Sequence, residues 1–108
     1  MFTSEPNSNL GNFVYENSYT VKAIATGAEF NISKSYEKLL LIISCYNGSA
    51  TCRAKINNTE DIVKIIDNLE YNNTHSAISV CLLNNVDSST VINYTAFGDA
   101  CSVFEISY

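Results

Sequence analysis

Residues 36 to 46 read YEKLLLIISCY, and residues 76 to 83 read SAISVCLL. Side chains of an extended strand alternate between its two faces. Laid out this way, Tyr36, Leu40, Ile42 and Tyr46 share one face, and Leu39, Leu41, Ile43 and Cys45 share the other. In the second stretch Ile78, Val80 and Leu82 oppose Ala77, Cys81 and Leu83. Antiparallel sheets in small proteins usually alternate apolar with polar, because one side faces water. Two strands that are apolar on both sides need cover on both sides. A chain of 108 residues has little material left to supply it. An uncovered apolar strand is an aggregation hazard, so a second copy of the chain is expected to provide part of the cover. The residues expected at that subunit interface are Leu39, Leu41, Ile43, Ala77, Cys81 and Leu83.

The rest of the chain keeps an all-β rhythm of short apolar runs broken by turn signals. Residues 19 to 25 alternate and stop at Thr26-Gly27, and Phe30 with Ile32 makes a short second run. Asn47-Gly48 is a strong hairpin cue after the apolar stretch. Residues 50 to 56 then return with Cys52, Ala54 and Ile56 on one side and Arg53 and Lys55 on the other. Residues 90 to 97 resume after Asp87-Ser88-Ser89, and residues 100 to 108 form a last strand after Gly98-Asp99. One segment is ambiguous. Ile62, Ile65, Ile66 and Leu69 have helical spacing, yet β-branched residues disfavour helices, so residues 60 to 69 read as a short helix or an irregular strand. The expected architecture is an antiparallel, jelly-roll-like β-sandwich over residues 19 to 108, preceded by a polar arm or linker over residues 1 to 18.

Charge and cysteine usage exclude several chemistries. The net charge is −5, and all six basic residues lie in the first 64 positions without clustering. Phosphate backbones require clustered cations, so nucleic acid is not an expected partner. The longest apolar run, Leu39 to Ile43, is far below membrane-spanning length, and no membrane insertion is expected. The N-terminal residues lack the basic start and apolar stretch of a signal peptide. Cys45, Cys52, Cys81 and Cys101 show no zinc-type pairing, and His75 is the only histidine. A four-residue hairpin loop over 47 to 50 would set Cys45 opposite Cys52, within reach of a disulfide. The other reading is four small buried hydrophobes in a reducing compartment. Asp87 and Asp99 belong to no calcium loop, and no GxSxG, HExxH or glycine-rich phosphate loop occurs. Neither an enzyme nor a cofactor is expected.

Several segments together resemble the small jelly-roll or β-sandwich head domains of bacteriophage tail fibres and other virion appendages. They are residues 36 to 43, the Asn47-Gly48-Ser49 turn, residues 77 to 91 and the terminal run from Ser102 to Ser107. The resemblance implies self-assembly, commonly into trimers, and docking to other virion proteins, here through the N-terminal arm. It also implies a location in the virion. The same family implies a second possibility, recognition of host-surface glycans. Sugars are held by aromatic faces with amide and carboxylate hydrogen bonds, usually on loops. The candidates are Tyr46 with Asn47, Tyr71 with Asn72 and Asn73, and Tyr94 with Asp99.

Overall fold

A computed structural model of the chain describes residues 12–49, 51–59, 62–71 and 75–108. The elements are β1 (Val14–Thr20), β2 (Ala28–Asn31), β3 (Tyr36–Tyr46), β4 (Arg53–Ile56), β5 (Ile62–Tyr71), β6 (Ser76–Val86), β7 (Val91–Phe97) and β8 (Ala100–Ser107). No helix occurs among the described residues. A five-stranded antiparallel sheet has the order β1-β8-β3-β6-β5, and a three-stranded sheet the order β2-β7-β4. Strand 1 pairs with 8, 2 with 7 and 3 with 6. This nested pairing is that of a rolled-up eight-stranded ribbon, the jelly roll. The fifth strand departs from it, because β5 pairs with β6 in the large sheet rather than with β4.

The two sheets differ in kind. The small sheet alternates cleanly. Ala54, Ile56, Ile92, Tyr94 and Ala96 point into the core, while Arg53, Lys55 and Asn93 are exposed. The large sheet is apolar on both sides, as its central strands require. Its inner face presents Leu39, Leu41, Ile43 and Cys45 of β3, Ala77, Cys81 and Leu83 of β6, and Cys101 and Val103 of β8 to the core. A fully buried aliphatic side chain contributes about 1.5–3 kcal/mol through removal from water, so this face dominates the packing energy.

Three expectations need correction here. First, the strand pattern begins at Val14, inside the stretch expected to be an arm. Second, β3 and β4 do not form a hairpin, because they lie in different sheets and the connection crosses between layers. Cys45 therefore stands opposite Cys101 of β8, not Cys52. All four cysteines are free and buried. Third, residues 62 to 71 resolve as a strand with two register shifts, one between Lys64 and Ile66 and one between Ile66 and Leu69. Each bulge inserts a residue and changes which face follows. Because of those bulges Val63, Ile66 and Leu69 reach the outer face at spacings of three while Ile62 turns toward the core, so the pattern only imitates a helix.

The bulge at Asn68 also explains why β5 leaves the small sheet. Asn68 has a positive φ of 53°, a conformation asparagine tolerates better than most residues. Its Oδ1 accepts from the Ala54 amide at 2.9 Å, and its own amide donates to Ser79 Oγ at 2.8 Å. Ser79 Oγ in turn donates to the Ala54 carbonyl. Two side chains of the large sheet thus stand in for a neighbouring strand at the edge of β4. An edge with its backbone groups already satisfied is a poor template for further pairing.

Candidate functional site

The six residues expected at a subunit interface are all in the core of the single chain. Leu39, Leu41, Ile43, Ala77, Cys81 and Leu83 face the small sheet, and each is at most 2% exposed. The surplus apolar surface lies on the opposite face of the same strands. Cross-strand partners share a face, so the register lays that surface out in rows. One row runs Tyr15, Ile106, Leu40, Leu82, Val63 from β1 to β5. The next runs Ser18, Phe104, Ile42, Val80, Ile66, and a third Thr20, Ser102, Ser44, Ile78, Leu69. The centre is partly buried by its neighbours, whereas Tyr15, Val63 and Leu69 at the margins are more than half exposed.

Aromatic residues border this field at both ends. Phe13 packs on Tyr108 with ring centroids 5.4 Å apart, and the Lys38 ammonium lies 5.9 Å from the Tyr108 ring. A cleft of about 950 Å³ opens beside them, lined among others by Ser35, Glu37 and Ser107. At the other end Tyr46 and Tyr71 both pair with Ser76, one from each side. They are 57% and 70% exposed. Strands lie about 4.8 Å apart, so the two rings stand about 10 Å apart over a small residue.

The candidate ligand residues divide accordingly. Tyr46, Asn47, Tyr71 and Asp99 come together at one end of the molecule. The Asp99 amide donates to the Tyr46 carbonyl at 2.8 Å, and the Asn47 amide to the His75 carbonyl at 2.9 Å. Asn47 Oδ1 accepts from the Ser49 amide, which fixes the turn. Tyr94 does not join them. It is 2% exposed, packs against Phe30, and donates its hydroxyl to the Lys22 carbonyl at 2.8 Å. Its role is to fill the core, because β7 points this position inward. Asn72 and Asn73 lie outside the described residues.

Sequence reasoning missed a buried carboxylate. Glu105 sits on the inner face of β8 beside Val103 and is fully buried. Tyr19 donates to it at 2.6 Å, Tyr36 at 2.7 Å and the Ser33 amide at 2.9 Å, and the Ser33 hydroxyl donates as well. No ion pair reaches it among the described residues; the Lys34 ammonium instead pairs with Glu16 at 2.7 Å. Burial works to raise the Glu105 pKa, but the donations from Ser33, Tyr19 and Tyr36 outweigh it, and the carboxyl titrates below its ordinary range. Tyr19 and Tyr36 are pushed upward, first by burial and then by the carboxylate they hold. The sequence signal was present, an acidic residue at an inward position of an otherwise apolar strand.

The group of donors encloses Glu105 completely, so it is a structural clasp with no room for a substrate. Among the described residues no cluster of His, Cys, Asp or Glu has the arrangement to hold a metal ion, and no helix is long and apolar enough to cross a membrane. No family model, curated protein or solved structure matches the chain. What remains as a candidate is the outer face of the five-stranded sheet with its aromatic borders.

Proposed function

We propose that this protein is a virion structural or appendage component of a bacteriophage, of decoration, baseplate or tail-fibre type, that works by self-assembly and by docking to other virion proteins. The observation that carries the assembly reading is the apolar field that the first two rows, joined by Ile78 and Leu69 of the third, lay across the outer face of the large sheet. Five strands about 4.8 Å apart and two rows about 6.8 Å apart, with Ile78 and Leu69 beyond them, make a surface on the order of 300–400 Å². That lies within the roughly 300–600 Å² of a typical monomer's largest apolar patch, which is often a functional one. The aromatic borders extend it toward the roughly 800 Å² per partner of a standard interface. The virion setting, the trimeric state and attachment through the N-terminal residues are supported by the resemblance of the strand pattern to appendage head domains.

Light scattering and sedimentation at micromolar concentration test the assembly reading. A mass several times 11.9 kDa is expected. Val63→Lys with Leu69→Lys should return the protein to a single copy while leaving its circular dichroism and melting unchanged, since both side chains are already more than half exposed. A wild-type mass of one copy at these concentrations overturns the reading.

A second reading, recognition of a host-surface glycan, has one observation in its favour. Tyr46 and Tyr71 flank Ser76 with Asn47 and Asp99 nearby, an aromatic pair with polar groups at hand. Binding on a glycan array that disappears in Tyr71→Ala supports it, and a flat array removes it.

A further inference from the structure

We infer that Cys45 and Cys101 are a redox pair that closes into a cross-strand disulfide, locking β3 to β8 beneath the end of the sandwich that carries Tyr46 and Asp99. The inference is independent of what the protein assembles with. Cys45 and Cys101 are direct register partners on adjacent antiparallel strands. Such partners alternate between hydrogen-bonded and non-hydrogen-bonded pairs, the latter with Cα atoms about 4.5 Å apart.

Two backbone bonds identify which kind this is. The Cys101 carbonyl accepts from the Val21 amide at 3.0 Å, so the backbone polar groups of Cys101 turn toward β1 and away from β3. At the far end of the same pair of strands the Tyr108 amide donates to the Lys38 carbonyl, which makes the even-numbered positions of β3 the bonded ones. Cys45–Cys101 is therefore a non-hydrogen-bonded pair, and its separation falls inside the 4.4–6.8 Å that disulfides span. Cys52 lies close by, with its thiol donating to the His75 carbonyl at 3.0 Å. Cys81 lies apart from them on β6, opposite Leu41.

The step balances with a small-molecule disulfide as oxidant. One cysteine thiolate attacks a sulfur of the oxidant, forming a mixed disulfide and releasing one thiolate. The second cysteine then attacks the first, closing the protein bond and releasing the other thiolate. Two protein thiols are oxidised, one disulfide is reduced to two thiols, and the two cysteine protons pass to the leaving groups. Both thiols are buried, and burial holds Cys45 well above the ordinary thiol range. Exchange must therefore wait for a local opening at this end of the sandwich, where the Asn47–Ser49 and Phe97–Asp99 turns follow β3 and precede β8. The pair stays reduced where thiol reductants dominate and closes in an oxidising milieu.

The test uses the native full-length chain incubated with oxidised glutathione, then unfolded and alkylated. Two thiols, those of Cys52 and Cys81, should remain open to alkylation, and peptide mapping should link Cys45 to Cys101. Cys52→Ser and Cys81→Ser should each retain the link, which keeps the test informative if Cys45→Ser fails to fold. The rate should level off as the oxidant concentration rises, because opening becomes limiting. Amides of residues 46 to 49 and 97 to 100 should exchange several-fold more slowly in the oxidised protein. Four alkylated thiols after prolonged incubation, or a link from Cys45 to Cys52, overturns the inference.

Discussion

Glu105 shows how a single residue can tie distant parts of the chain. Its donors lie 69 to 86 positions away in sequence, in β1, β3 and the turn between β2 and β3. Glu105→Gln keeps the shape but turns an acceptor into a group that also donates, leaving hydroxyls without a partner. A loss of about 2–4 kcal/mol in denaturant unfolding is expected. The pH dependence has a definite sign. A carboxyl whose folded value lies below its unfolded one stabilises the protein above the ordinary glutamate range, and that stability is lost as pH falls toward the folded value. Wild type should therefore lose stability as pH drops below about 4.3, the unfolded glutamate value, and Glu105→Gln should show a flatter pH profile there. Equal slopes for the two proteins would show that Glu16 and Asp87, also lowered by their hydrogen bonds, control the acid transition instead. Gly98 is a second such point. A Cβ there would sit 3.0 Å from the Tyr46 carbonyl oxygen and 3.4 Å from Cys52 Sγ. Gly98→Ala should cost about 1–3 kcal/mol by thermal or denaturant melting.

Among the elements, β5 determines how far the molecule departs from a regular jelly roll. Its contact with β4 is made by side chains where strand pairing would otherwise run. Asn68→Ala should lose about 1–3 kcal/mol for the hydrogen bonds and about 1 kcal/mol more for the left-handed backbone. Asn68→Gly should recover only the backbone part. A double-mutant cycle with Ser79→Ala should give a coupling above about 0.5 kcal/mol, since both residues hold Ala54. Additive losses would mean that the two bonds act separately. This element also marks the limit of what could be read in advance. Strands β3, β6, β7 and β8 were legible because alternation survives through most of their residues, and the ends of β3 fall where the pattern puts them. The alternation fails near Asn85, so Tyr36, expected on the outer face, is buried with Leu39, and Val86 with Leu83. In β5 the alternation is broken twice by bulges that local sequence does not announce. The β3–β4 connection was misread for a related reason: Asn47-Gly48 signals a reversal but not whether the returning strand stays in the same sheet.

At the scale of the whole molecule, the need for cover on two sides was legible, but the side facing outward was not. Alternation gives two faces without saying which one meets the second sheet. That choice is made by partners far along the chain, among them Ala54 and Ile56 of β4 and Ile92, Tyr94 and Ala96 of β7, which share one buried cluster with the inner residues of β3 and β6. The loop tyrosines divided for the same reason: Tyr94 shares its parity with Ile92 and goes inward, whereas Tyr46 and Tyr71 fall on the outer row. The apolar field should also report itself without any partner. A dye that fluoresces on exposed hydrophobic surface should bind the dilute folded protein and be displaced as concentration rises into the micromolar range. Fluorescence proportional to concentration throughout would count against association through this face.

The unequal sheets have one more consequence. With Arg53, Lys55 and Asn93 on the far side of the small sheet, the molecule is wettable on one flank and oily on the other. Copies that close over their oily flanks turn the more polar ones, which carry only Val91 and Phe97 as large exposed apolar side chains among the described residues, to the solvent. At the edge of β4, Asn68 and Ser79 already occupy the Ala54 amide and carbonyl. Growth of such a cluster through the β4 edge is thereby hindered, which favours a small number of copies over a fibre.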